Sequence, residues 1–150
     1  MKESFCVTNG VHKIEIIFGE VLGFPDTTTF LGGYDIKGLV NIKAGCFIGA
    51  CAIWTSTGQM FELYTQLSKI NNVLKGEVSF SNYYDDNLKF KLVYDSLGHV
   101  AVTGTLYESS EPENVLGFEF TTDQTFISKT VSQLSSIIKT YGDSRGIISR

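Results

Sequence analysis

Leu88–Tyr107 reads LKFKLVYDSLGHVAVTGTLY. Leu88, Phe90, Leu92 and Tyr94 share one side of an extended chain, with Lys89 and Lys91 on the other. After Asp95-Ser96-Leu97-Gly98, Val100, Val102 and Leu106 alternate with Ala101, Thr103 and Thr105. The four-residue link has turn chemistry, since Asp and Ser bond their own backbone and Gly accepts positive φ. Two period-two strands joined by such a link predict an antiparallel hairpin with one face buried and one in water. Val78 and Phe80 extend the pattern upstream. Leu116, Phe118 and Phe120, alternating with Gly117, Glu119 and Thr121, extend it downstream. The second half of the chain is therefore expected to contain a four-stranded meander.

Toward the N-terminus, Phe5–Thr8 and His12–Phe18 flank Asn9-Gly10, a pair suited to a type I′ hairpin turn. His12 shares the face of Ile14 and is expected to be half-buried at a strand end. Gly19–Gly33, with Pro25, Asp26 and three consecutive threonines, reads as a loop. Leu39, Ile42 and the run Cys46–Trp54 form a second extended pair around a turn at Ala44-Gly45. The run is apolar at nearly every position, which predicts a strand covered on both faces.

Two segments change period. Met60, Tyr64, Leu67 and Ile70 recur at three and four, which predicts a helix capped by Thr57 and ending near Asn71-Asn72. Asp123 is placed to cap a second helix with Ile127, Val131, Leu134 and Ile138 as its buried stripe. Gly142 stops it, and 142–150 reads as a frayed tail. The expected fold is α+β: a largely antiparallel sheet or sandwich of about seven or eight strands, with one helix mid-chain and one C-terminal. Residues 1–150 are expected to form one domain.

The chain has 150 residues and a net charge of −4, without the basic footprint that binding nucleic acid directly requires. No apolar leader or membrane-length segment appears, so a cytoplasmic protein is expected. Cys6, Cys46 and Cys51 are too few for a disulfide scaffold and read as buried free thiols.

Catalytic grammar is sparse. His99 follows the DSLG turn four residues after Asp95, but no hydroxyl sits in a nucleophile elbow, and the pair reads first as a turn. No phosphate loop, dinucleotide fingerprint or metal-ligand spacing occurs, and neither metal nor cofactor is expected. Charge is distributed less evenly. From Asp85 to Glu113 six acids stand against Lys89 and Lys91, a net of −4 that equals the charge of the whole chain. Asp85-Asp86 and Glu108–Glu113 fall at predicted strand connections.

Four motifs in order carry a family resemblance: Gly45–Gly49 (GCFIG), Leu74–Phe80 (LKGEVSF), Asp95–Val100 (DSLGHV) and Asp123–Ile127 (DQTFI). Across roughly residues 34–140 the chain resembles the WapI-like bacterial immunity proteins. Around Tyr34 it lacks a tryptophan common in that family, and Gly19–Gly33 has no counterpart. The resemblance implies a small protein that binds and occludes a cognate toxin domain, a tRNA-directed nuclease for the type member, without catalysis of its own. A nuclease presents basic residues to phosphate, so acidic loops with neighbouring aromatics suit its inhibitor. The expected partner-binding residues are Tyr83, Tyr84, Asp85, Asp86, Tyr107, Glu108, Glu111 and Glu113. The alternatives are a protein- or ligand-binding module without a toxin and, third, a small hydrolase using His99.

Overall fold

The computed structural model describes residues 3–108 and 113–149. Strands β1 (Ser4–Thr8), β2 (Lys13–Leu22), β3 (Asp35–Ala44) and β4 (Phe47–Ser56) form one antiparallel sheet in that order. Helix α1 (Thr57–Val73) leads to a second antiparallel sheet of β5 (Gly76–Ser81), β6 (Leu88–Tyr94), β7 (His99–Tyr107) and β8 (Val115–Asp123). Helix α2 (Gln124–Tyr141) follows. Each sheet is a meander in which sequence neighbours are spatial neighbours. The expected α+β architecture is the one observed.

The alternation in β6 sets the register of the second sheet. Phe80 lies opposite Phe90, Phe90 opposite Gly104, and Gly104 opposite Phe118, one inward-facing row across four strands. The Phe80 and Phe90 rings stack at 5.1 Å. Gly104 supplies the space this row needs: a Cβ there would lie 2.5 Å from the Lys89 carbonyl and closer still to the Phe118 ring. Leu88, Leu92, Val100 and Val102 are completely buried.

In the first sheet the turn after β1 spans Asn9–His12, with Asn9 Oδ1 accepting from the Val11 and His12 amides. Only Gly10 of the Asn9-Gly10 pair has positive φ, so the connection is not the expected type I′ turn. His12 is half-buried and stacks on Phe120 at 5.7 Å, as its face predicted. β2 runs on to Leu22, into the expected loop, by way of a bulge between Phe18 and Glu20. The Ala44-Gly45 turn lies one residue further on, at Gly45-Cys46.

The expectation for Cys46–Trp54 is corrected. β4 is the last strand of its sheet, and Phe47 and Ile48 are 62% and 78% exposed. An apolar run marks burial on both faces only where other elements pack over both faces of the strand along its length, and composition does not reveal what packs there. Cys46 is accordingly exposed, and Cys6 and Cys51 are half-buried rather than buried.

Both helices differ from expectation by small rotations or shifts. Ser56, not Thr57, caps α1, its Oγ accepting from the Gln59 amide at 3.2 Å. Thr57 Oγ1 instead accepts from the Tyr34 amide at 2.8 Å. In α2 the deepest residues are Ile127, Thr130, Leu134, Ile137 and Tyr141, with Val131 and Ile138 half-buried. The stripe turns toward Thr130 because α2 closes the free edge of β1. Thr130 Oγ1 donates to the Cys6 carbonyl, and Gln133 Oε1 accepts from the Cys6 amide. Beyond Gly142 the backbone does not fray but closes a turn, with Asp143 N donating to Ile147 O and Gly146 N to Asp143 O.

Candidate acidic binding surface

The two acidic connections lie at the same end of the second sheet, β5–β6 through residues 82–87 and β7–β8 through 108–114. The first is tied to the end of β7, which leads into the second, because the Tyr107 amide donates to the Asn87 carbonyl at 2.7 Å. Beneath them, buried amide side chains do the work of a strand. Asn82 Nδ2 donates to the Trp54 carbonyl at 3.0 Å and Asn87 Nδ2 to the Ala52 carbonyl at 3.1 Å, pairing two outward backbone groups of edge strand β4. Asn82 Oδ1 accepts from Leu88 N. From α1, Gln59 Oε1 accepts from the Tyr83 amide at 3.1 Å while its Nε2 donates to Ser81 O at 2.8 Å. The first loop is thus held by polar groups from β4 and α1.

Above this base, Tyr83 and Tyr84 are 48% and 41% exposed. Tyr83 Oη donates to Glu62 Oε2 at 3.0 Å, and Tyr84 Oη donates to Asp35 Oδ1 at 2.5 Å. Both phenols are pushed up from their ordinary pKa, first by burial and next by these carboxylate bonds. Tyr84 also stands edge-on to Trp54 at 6.5 Å. Asp85 is exposed. Asp86 takes a left-handed φ of 50°, accepts from the Ser81 hydroxyl and pairs with Lys89 at 3.2 Å. The Ser81 bond, then Lys89, hold its carboxyl below the ordinary aspartate value.

In the second loop, Glu108 N donates to Asn114 O at 2.8 Å and Asn114 Nδ2 returns a bond to Glu108 Oε2 at 2.7 Å. Glu108 and Glu113 are exposed and Tyr107 is half-buried. Glu111 lies outside the described residues. Both connections named from sequence thus lie at one end of the second sheet, and Asp35 and Glu62 bond the tyrosines of the first. Nothing in the sequence placed those two beside Tyr84 and Tyr83, since 49 and 21 residues separate the partners.

At the other end of the same sheet, His99 Nδ1 lies 3.1 Å from Asp95 Oδ2, both side chains more than half exposed. Asp95 Oδ1 accepts from the Leu97 and His99 amides, so its carboxylate closes the turn. A concavity of about 860 Å³ crosses the second sheet, lined by Lys89 and Lys91 of β6, by Phe80, Phe90 and Phe118, and by small residues such as Ser79, Thr103 and Gly117. No histidine or cysteine lines it. Among the described residues no cluster of three His, Cys, Asp or Glu is arranged to hold a metal ion. No described helix is long and apolar enough to cross a membrane.

Residues 7–142 match the Immunity protein WapI-like family. The chain belongs to the WapI-like immunity protein family. A search of the curated proteins returns no match. The motifs of this WapI-like chain sit at junctions between elements. GCFIG is the β3–β4 turn and the start of β4, LKGEVSF the end of α1 and β5, and DSLGHV the β6–β7 turn. DQTFI starts α2, where Asp123 Oδ1 accepts from the Phe126 amide at 3.0 Å. Two of the motifs touch, Gln124 N donating to Gly98 O at 2.9 Å. This junction is at the end of the second sheet away from the acidic loops.

Proposed function

We propose that the chain is a non-catalytic immunity protein that binds a cognate toxin domain and occludes its working surface through the acidic loop end. Family membership supports the class of role. The observation that supports the surface is the Tyr107–Asn87 bond, which sets the end of β7 against the first acidic connection. The surface we assign bears Tyr83, Tyr84, Asp85, Asp86, Tyr107, Glu108 and Glu113. Glu111 belongs to the second connection in sequence. A nuclease is the favoured target, because a surface built for phosphate is basic and meets carboxylates with rapid, salt-sensitive association. The natural setting is the cytoplasm of the cell that makes the toxin. Asp95 and His99 serve the β6–β7 turn in this reading, and no catalytic step is assigned to them.

The test is co-expression with the C-terminal domain of a large secreted protein, should one be encoded in a neighbouring gene. The parent chain should restore growth of cells making that domain. A variant with lysine at Asp85, Asp86, Glu108, Glu111 and Glu113 should fold but fail to protect. Full protection by that variant would remove the acidic loop end from the mechanism, and no protection by the parent would remove the immunity reading.

A further inference from the structure

The loop Gly23–Tyr34, which the family motifs leave unexplained, places an aromatic side chain in water. Phe30 is 94% exposed, the most exposed of the large apolar side chains among the described residues. It occupies the second position of a turn closed by Gly32 N donating to Thr29 O at 3.1 Å, and Thr29 N donates to Gly33 O at 2.8 Å. The base of the loop is fixed. Tyr34 Oη donates to the Pro25 carbonyl at 3.1 Å, and Phe24 packs edge-on against Tyr34 and Tyr141 at 5.2 and 4.8 Å. Phe24 thus anchors the loop from within while Phe30 points away from the fold.

The position of this tip ties it to the acidic end. Thr29, the residue before Phe30, has its Oγ1 3.4 Å from Tyr84 Oη, and the same phenol donates to Asp35. The turn that carries Phe30 therefore meets Tyr84 through Thr29, and Tyr84 leads directly into the Asp85-Asp86 tip. The cations around this end include Lys89, paired with Asp86, Lys37, which lies over the Trp54 ring at 5.9 Å, and Arg145, paired with Asp143, whose neighbours Ser144 and Gly146 pack against the loop. An exposed aromatic on an anchored loop loses little further freedom on docking, the condition under which one side chain dominates an interface.

We propose that Phe30 is the apolar anchor of the partner interface, and that the partner offers a hydrophobic pocket rimmed by basic side chains. The occupant is the toxin domain, so this inference rests on the proposed function and names what that partner must present. Phe30 supplies contact that salt does not screen, and Asp35, Glu62, Asp85 and Asp86 supply steering and register.

The experiment measures binding of the full chain, at low and at high salt, to the toxin domain that it protects against in the co-expression test. Phe30→Ala should weaken binding by roughly 30-fold or more, through faster dissociation, with a similar loss at both salt concentrations. Phe30→Tyr should retain most of the affinity. The variant D35N/E62Q/D85N/D86N should associate more slowly at low salt and approach the parent at high salt. Thermal unfolding of Phe30→Ala should match the parent, since the side chain is in water. Binding by Phe30→Ala within twofold of the parent, alongside a loss in the four-carboxylate variant, would overturn the anchor and leave the acidic surface standing. Absence of binding by the parent itself would overturn the proposed function and this inference with it.

Discussion

Cys6 and Tyr141 hold their protons more tightly in the folded chain than in the unfolded one. Burial first, and Glu15 second, push the Cys6 thiol up to about 11 from 9.0. Burial first, then the bond to Glu3, push Tyr141 up to about 12 from 10.0. A raised folded-state pKa contributes stability that is complete below the unfolded value and is lost as pH rises through the folded one. The urea midpoint should therefore fall from about pH 9 to pH 11 as Cys6 titrates and further toward pH 12, with the first part flattened in Cys6→Ala. A midpoint constant from pH 8 to 11 in the parent would contradict this. The same shift leaves about one Cys6 in a thousand as thiolate at pH 8. A thiol reagent should label exposed Cys46 first and Cys6 only upon unfolding. Asp95 behaves in the opposite sense: the Leu97 amide, then the His99 amide, hold its carboxyl below the ordinary value. Asp95→Ala should lower Tm through loss of the turn, whereas His99→Ala should change neither Tm nor protection against the toxin. A loss of protection in a stably folded His99→Ala would reinstate the histidine.

Helices and strands follow local chemistry closely where one side chain has one task. Ser56→Ala removes the acceptor for the buried start of α1 and should cost about 1 kcal/mol. That corresponds to roughly 2–4 °C in Tm for a chain of this size. Thr57→Ala should also destabilise, through the Tyr34 amide it leaves unpaired, and a double variant is expected to be non-additive because the two residues adjoin. In β7, Gly104→Ala forces a methyl group against the Lys89 carbonyl and the Phe118 ring. It should cost about 1–3 kcal/mol by urea unfolding. Unchanged stability would mean that the inward row Phe80–Phe90–Gly104–Phe118 is looser than its geometry. The strand alternation that made the second meander legible does not extend to β4. There every residue of GCFIGACAIW but the glycines is apolar, and pattern alone cannot distinguish a central strand from an edge.

Across the whole molecule, Asn82 and Asn87 join the two sheets where no strand pairing does. Asn82→Ala would leave the Trp54 carbonyl and the Leu88 amide without their partner, at about 1–3 kcal/mol for each buried group. Chemical denaturation should register that loss, and hydrogen exchange should quicken at Leu88. Parent-like stability would show that the sheets do not depend on the bridge. The α+β class, the second meander, both helices and the acidic character of two connections were readable from residues 60–71, 78–94, 100–123 and 127–138, because period and turn chemistry are local. That Asp35 and Glu62 bond Tyr84 and Tyr83, that Thr29 reaches Tyr84, and that β4 lies at an edge follow from contacts between residues distant along the chain. Periodicity assigns a face to each strand, but sheet order and the packing of α1 and the Gly23–Tyr34 loop against the β5–β6 connection settle which faces meet.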